Sequence, residues 1–311
     1  MFSHIPVLLH QSVEMLGLQD GDVVFDLTLG LGGHSKAFLE AAHIDLVAVD
    51  QDAQALRIAQ ENLKQFPHVT YVKSNFSALG HIVSQVNKVP RIIFADIGVS
   101  SLHLDDASRG FMFRENVPLD MRMDQDSSLQ ASDILMKSSA CELETIFADY
   151  GELPRNIARK LGEQVILYRE IEPIDTSYKL INLIEKINIQ QNKKTKNPIP
   201  LVFQALRIAV NKELQVLERM LESSFDILPV GGKIGVITFH SLEDRIVKKF
   251  FKYWSKDCIC DASQLICNCS ERFPKKLFLK KPFPVFPDQQ EIKKNSRSRS
   301  ARLRIAEVVT R

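Results

Sequence analysis

No stretch of this 311-residue chain approaches the roughly 20 consecutive apolar residues of a membrane span. The opening residues, Met1-Phe2-Ser3-His4-Ile5-Pro6, show no basic segment followed by an apolar one, so no secretory signal is expected. Cysteine is scarce. There are five, an odd number, which argues against a disulfide framework and for a reducing compartment. No internal repeat is visible. These absences set aside membrane, secreted and repeat classes. What the chain does have is 45% hydrophobic and 25% charged residues, the composition of a folded globular protein. Folding at this length buries roughly 75% of the unfolded surface, so a core needs neither metal nor disulfide.

Net charge is only +2, but it is unevenly spread. Residues 271–311 carry 12 Lys/Arg against 4 Asp/Glu, and the remainder carries 28 basic against 34 acidic groups. An acidic body with a basic C-terminal region points to a polyanionic partner, or to a solvated tail.

Short apolar runs alternate with helix-like stretches over the first hundred residues. Val23–Asp26, Leu46–Asp50, Val69–Val72 and Arg91–Asp96 read as strands, with helices at Ser35–Ala42 and Ala53–Phe66. This alternation predicts right-handed βαβ units and a parallel sheet covered on both faces. It then stops for about a hundred residues, far too many for one sheet crossover. Segments 129–149, 152–168 and 177–187 have helical patterning, and Asn188–Pro200 reads as a polar, basic loop. An amphipathic helix follows, with Phe203, Leu206, Val210, Leu214, Leu217 and Leu221 at three- and four-residue spacing. Lys233–Phe239, Lys276–Leu279 and Leu303–Val309 read as the remaining strands. The expected architecture is an α/β, Rossmann-like sheet in two parts, 1–105 and 201–311, around an inserted helical domain at 106–200.

The stretch Phe25–Ser35, F-D-L-T-L-G-L-G-G-H-S, follows a strand and opens a helix. Gly30, Gly32 and Gly33 allow a tight turn and close ligand approach, and the helix N-terminus offers free N–H groups to an anionic group. Asp50 lies twenty residues beyond Gly30 at a strand end, where a carboxylate accepts ribose hydroxyls. A dinucleotide site wants G-x-G-x-x-G, and here Ser35 stands where the third glycine belongs. An S-adenosylmethionine site wants D-x-G-x-G-x-G, which Asp26-x-Thr28-x-Gly30-x-Gly32 matches except at Thr28. An acid at Asp26 suits a cofactor with an amino group and no pyrophosphate. Phe76, after the third strand, could face an adenine ring, and Asp96 ends the fourth strand at the edge where open α/β sheets place their chemistry.

Longer blocks are more specific. They are D-I-G-V-S-S-L-H-L-D (96–105), R-G-F-M-F (109–113), P-L-D-M-R-M-D (118–124), F-Q-A-L-R-I-A-V-N (203–211) and F-H-S-L-E-D-R (239–245). In this order, from H-I-P-V-L (4–8) to R-S-R-S-A-R-L-R (297–304), the chain closely resembles the RsmH (MraW) family over nearly its whole length. Those are bacterial small-subunit ribosomal RNA methyltransferases acting on a cytosine 4-amino group. The resemblance implies S-adenosylmethionine binding by Gly32, Gly33, His34, Asp50, Phe76, Asp96 and His103, where the family usually has Gln at the last position. It also implies a decoding-region cytosine in an assembled small subunit as target, and a bacterial cytoplasmic enzyme. Oligomeric state, monomer or homodimer, is left open.

The amine of cytosine is a poor nucleophile, and an acceptor beside it would help it shed a proton. The [N/D]-P-P-[Y/F] motif of many amino-methyltransferases is replaced here by Asp96-Ile97-Gly98-Val99. Asp120, His240 and Ser241 are the candidate groups for that role, beside Asp96 itself. No catalytic base is assigned among them. Arg122 reads as a structural partner of the neighbouring acids. RNA backbone contact is expected from Lys193–Lys196 and Lys293–Arg304. Cys258, Cys260, Cys267 and Cys269 could form a tetrahedral zinc site, but C-x-C is tighter than the usual C-x2-C. Free thiols are the expected state and no metal ligand is assigned. The competing classes are a nucleotide-dependent oxidoreductase, a methyltransferase on another RNA, and a non-catalytic ribosome assembly factor.

Overall fold

The computed structural model describes residues 6–113, 115–187, 197–260 and 266–311. Lys193–Lys196 and the first two residues of the H-I-P-V-L block lie outside the described residues. The chain divides into two compact units, Met1–Gly98 with Leu214–Arg311, and Val99–Glu213.

The first unit opens with helix α1 (Leu9–Leu16), then β1 (Val23–Asp26), α2 (Gly33–Ala41), β2 (Asp45–Asp50), α3 (Ala53–Asn62), β3 (Val69–Lys73), α4 (Leu79–Val86) and β4 (Ile92–Asp96). The second unit is helical. It holds α5 (Ser101–Asp105), α6 (Ala131–Lys137), α7 (Ala140–Thr145), α8 (Arg155–Arg169), α9 (Ser177–Lys186) and α10 (Pro198–Asn211). The first unit resumes with α11 (Glu213–Ile227), β5 (Lys233–Thr238), α12 (Ser241–Trp254), α13 (Cys269–Arg272), β6 (Lys275–Leu279), α14 (Gln289–Lys294) and β7 (Arg302–Thr310).

The strands form one sheet in the order β3-β2-β1-β4-β5-β7-β6. β1 to β5 are parallel, and β7 runs antiparallel to both neighbours. Alternate strand residues feed two cores. Phe25, Val47, Val49, Ile93 and Ala95 join one, with Ile82 of α4, Leu217 and Leu221 of α11, and Val247 and Phe251 of α12. Val24, Leu46, Ala48, Ile92 and Phe94 join the other, with Leu16 of α1, Phe38 of α2 and Ala59 of α3. Covering both faces explains why these strands read as unbroken apolar runs. The sheet is Rossmann-like, with its strand order reversing at β1 and β4.

The helical unit has its own core, built on Leu135, Phe147, Leu161, Val165, Leu180, Val202, Phe203 and Leu206. Its bounds differ from the expected 106–200. The reason is the amphipathic segment read as one helix through Leu221. Lys212 adopts φ +51° and ends α10, and a new helix starts at Glu213. The apolar period runs straight through the break. Phe203, Leu206 and Val210 serve the helical core, whereas Leu217 and Leu221 serve the sheet. Pro198 opens α10 as its first residue, so the end of the expected loop is helical. The expected helix at 129–149 is two short helices and one wide turn, Ile146–Tyr150, because Ser139 caps a fresh start.

Candidate active site

Three carboxyls end neighbouring strands of the first unit: Asp26 on β1, Asp50 on β2 and Asp96 on β4. The glycine loop continues the sheet, with Leu27 N–H donating to Phe94 O at 2.9 Å and Leu29 N–H to Val49 O at 2.9 Å. Gly30 sits at φ +53°, and the nearest atom to a Cβ built there is Thr28 O, at 4.0 Å. Its missing side chain thus leaves open space beside the loop. Gly33 is different, because a Cβ there would lie 2.4 Å from Pro6 Cγ. A protein neighbour therefore demands glycine at 33. Gly32 is the N-cap of α2.

The acids have divided duties. Asp26 is sealed in, accepting from Ser35 Oγ at 2.6 Å and Thr28 N–H at 3.1 Å. Burial pushes its carboxyl up to about 6, against the pull of those hydrogen bonds. Asp26 thus clamps the strand end to the helix start, a local task that the sequence reading had given to a cofactor amine. Asp50 Oδ2 accepts from Gly30 N–H at 2.8 Å and Oδ1 from Asp52 N–H at 2.9 Å, so it sets the glycine loop and the start of α3 together.

Asp96 is the acid with unused capacity. Its backbone N–H donates to Thr28 Oγ1 at 2.6 Å, which explains threonine where the cofactor pattern has glycine. Its Oδ2 lies 3.7 Å from His34 Nδ1. Its Oδ1 is buried and has no hydrogen-bond partner among the described residues. Burial, then the charges of Asp26 and Glu243, raise this carboxyl well above the usual carboxylate range. His34 is buried, with Nε2 3.0 Å from Val7 O and its ring 4.8 Å from that of Phe94. Phe76 begins a short helical turn, half-buried against the sheet core, after Asn75 caps that turn.

His240 caps α12. Its Nδ1 accepts from Glu243 N–H at 3.4 Å and its Nε2 lies 2.9 Å from Glu243 Oε1. Glu243 is fully buried, and its Oε2 accepts from the backbone of Phe239 at 2.9 Å and His240 at 3.2 Å. The capping bond occupies Nδ1, whereas Nε2 makes an ion-pair contact with Glu243 Oε1 and no hydrogen bond among the described residues. Ser241 is the exposed first residue of the helix. Asp244 accepts from Arg304 Nε at 2.8 Å and from Arg302 at 2.6 Å. Arg304 is buried over the Phe283 ring, so part of the expected RNA-binding stretch at 293–304 is internal. Lys293, Lys294, Arg297 and Arg299 are exposed. Glu243 and Asp244 were missed as structural residues, although both stand inside the quoted F-H-S-L-E-D-R block.

In the second unit, His103 takes part in a helix cap. Its Nδ1 accepts from Ser100 N–H at 3.3 Å, and its ring stacks on Phe111 at 4.9 Å. Asp120 receives Arg122 on both oxygens, at 2.9 and 2.7 Å. Burial alone would raise Asp120, but the Arg122 hydrogen bonds outweigh it and hold the carboxyl below its usual range. That makes it a weak proton acceptor. Arg122 also donates to the carbonyls of Gln125 and Ser127, the structural part expected of it. Arg109 and Asn211 brace the same segment. Arg109 reaches the carbonyls of Arg122 and Met123, and Asn211 takes Met123 N–H and gives to Met121 O.

The four clustered cysteines come together. One sulfur from each of Cys258, Cys260, Cys267 and Cys269 lies within 4.8 Å of all the others. No helix among the described residues is long and apolar enough to cross a membrane.

The profile of the MraW methylase family matches residues 1–309. The ribosomal RNA small subunit methyltransferase H of Caldicellulosiruptor saccharolyticus is 42% identical over 313 residues, which is 99% of this chain and 100% of that protein. The protein of that name from Clostridium botulinum strain Loch Maree is 41% identical over 308 residues, 98% of each chain. That of Heliobacterium modesticaldum is 40% identical over 315 residues, 99% of each. Likeness of this extent, over nearly the whole chain, makes the chain a member of the MraW methylase family.

Proposed function

We propose that the chain transfers a methyl group from S-adenosylmethionine to the exocyclic 4-amino group of a decoding-region cytosine in small-subunit ribosomal RNA, in the bacterial cytoplasm. Its partner is the small ribosomal subunit. Family membership supports the reaction class. The observation that carries the cofactor reading is the buried, unpartnered Oδ1 of Asp96 at the carboxyl edge of the sheet. An oxygen sealed from water without a donor costs about 1–3 kcal/mol, and a ligand bearing N–H or O–H groups removes that cost.

The cofactor supplies a methyl group already activated on a sulfonium, so the protein's share is alignment and electrostatics. Asp50 accepts hydroxyls while holding the glycine loop. Gly30 leaves backbone open to close approach, Gly32 and Gly33 shape the helix start, and Phe76 offers an aromatic face. His34 keeps Asp96 beside a buried ring. His103 enters this reading only through the family resemblance. Asp120 is committed to Arg122 and His240 Nδ1 to the cap of α12, whereas Asp96 Oδ1 has no hydrogen-bond partner among the described residues.

The test is methyl transfer from labelled S-adenosylmethionine to small subunits lacking the modification, with the product mapped by mass spectrometry. A 4-methylcytosine in the decoding region, absent with Asp50→Ala, is expected. Transfer to another RNA, or cofactor binding with no transfer, would overturn the reading. Asp96→Ala should weaken S-adenosylhomocysteine binding roughly 5- to 150-fold by calorimetry, the span for leaving a buried ligand donor without its partner. An unchanged affinity would remove Asp96 from the site.

A further inference from the structure

Four of the five cysteines lie in one excursion of the first unit, between α12 and β6. The base of this excursion is tied on both sides. Arg311 donates to the carbonyls of Lys256, Asp257 and Phe273, and Trp254 packs edge-on against Phe273 at 5.8 Å between ring centroids. Lys276 pairs with Asp257 across the same base. Beyond the base, the described residues are mostly exposed. Ile266 is 79% exposed, Cys258 and Cys267 are exposed, and only Cys269 is buried. Closing a loop costs entropy, and no apolar cluster among the described residues of the excursion offsets it.

Yet the four sulfurs converge. Cys260 Sγ lies 3.2 Å and Cys258 Sγ 4.0 Å from Cys269 Sγ, and all four fall within 4.8 Å of one another. Four thiolates bound to one tetrahedral zinc at about 2.3 Å stand roughly 3.8 Å apart along each edge. The observed separations bracket that value. A shell this tight surrounds one ion and leaves no room for a multi-iron cluster. Ile259 N–H donates to Cys269 Sγ at 3.2 Å, the amide-to-sulfur contact that orients and stabilises a metal-bound thiolate. The C-x-C spacing, tighter than usual, works because the sulfurs of Cys258 and Cys260 both reach Cys269, which opens α13 on the returning side.

We propose that Cys258, Cys260, Cys267 and Cys269 hold one structural zinc ion that closes the excursion between α12 and β6. An all-sulfur donor set favours zinc over magnesium or calcium, and four protein ligands leave no open position for chemistry. The ion therefore acts on folding, and the proposal stands independently of the methyl-transfer reading.

The full chain, purified under reducing conditions without added chelator, should carry about one zinc per molecule by elemental mass spectrometry. Cys141→Ser should retain it, and the double variant Cys260→Ser/Cys269→Ser should lose it. Cobalt exchange into the unsubstituted chain should give the thiolate-to-metal bands of a tetrahedral site, and a thiol reagent should modify Cys141 fast and the other four only after chelation. The cobalt spectrum and thiol protection need no variant, so a misfolded double variant would leave the test intact. Absence of metal, stoichiometric iron in place of zinc, two disulfides, or zinc persisting in the double variant would each overturn the proposal.

Discussion

Gly110 sits at φ +74°, and a Cβ placed there would fall 2.3 Å from Pro118 O and 2.7 Å from Asp120 N. Only glycine fits both the conformation and the close passage of the 118–120 backbone. Gly110→Ala should cost more than about 2 kcal/mol of stability in urea unfolding. Gly80, near the start of α4, has nothing within 4 Å, and Gly80→Ala should stabilise by about 0.5 kcal/mol. The two alanines acting with the same sign would contradict the packing described. Asp26 gives a pH signature. Its carboxyl titrates at about 6 when folded against 3.8 for an ordinary aspartate, so the folded chain holds the proton more tightly. The stability this group provides is full below about pH 4 and is lost as pH rises through about 6. About two pH units correspond to a cost on the order of 3 kcal/mol at neutral pH. Relative to the parent, Asp26→Asn should therefore gain stability steadily between pH 4 and 7. A pH-independent difference in unfolding midpoint would refute the assignment.

At the scale of elements, the junction of α12 and β7 rests on Asp244, shared by Arg302 and Arg304. Arg304 is 3% exposed, so Asp244→Ala would strand a buried guanidinium and should cost about 3–5 kcal/mol. Lys276→Ala, which breaks a pair whose Asp257 is 88% exposed, should leave the unfolding midpoint nearly unmoved. Chemical denaturation of the two variants side by side checks the contrast. Strands were the most legible elements. β1 spans the expected Val23–Asp26, and the others end within a residue or two of their apolar runs, because burial on both faces writes a continuous signal. The break at Lys212 was not legible, since a left-handed lysine interrupts the backbone without interrupting the apolar period. The candidate site was legible as positions and not as duties. The acids at 26, 50 and 96 stand at strand ends as expected, but only coordinates show that Asp26 is spent on Ser35 while Asp96 keeps an oxygen free of partners. The convergence of the four clustered sulfurs was not legible, because spacing alone cannot show a chain doubling back.

For the whole molecule, the basic C-terminal region leaves fewer charges exposed than its composition suggests. Arg304 is internal and Arg302 is paired with Asp244, whereas Arg297 and Arg299 face solvent. If those two contact RNA phosphates, Arg297→Gln/Arg299→Gln should weaken small-subunit binding and flatten the dependence of log K on log salt by roughly 1.4–1.8, with cofactor affinity unchanged. Filter binding across a salt series reads this directly, and an unaltered slope would place the RNA contact elsewhere.

The sheet order also has a consequence during synthesis. β4 pairs with β1, which precedes it, and with β5, which follows only after the whole helical unit. At roughly 5–20 residues per second, a ribosome leaves one edge of β4 without its partner for on the order of ten seconds. A nascent chain in that interval presents an open row of backbone donors and acceptors flanked by Ile92, Ile93 and Phe94. The helical unit can fold meanwhile, because its core draws on no strand of the sheet. This makes the half-built sheet the stage at which chaperones would matter most, and slow codons between Asp96 and Lys233 the ones most apt to lower the yield of folded protein.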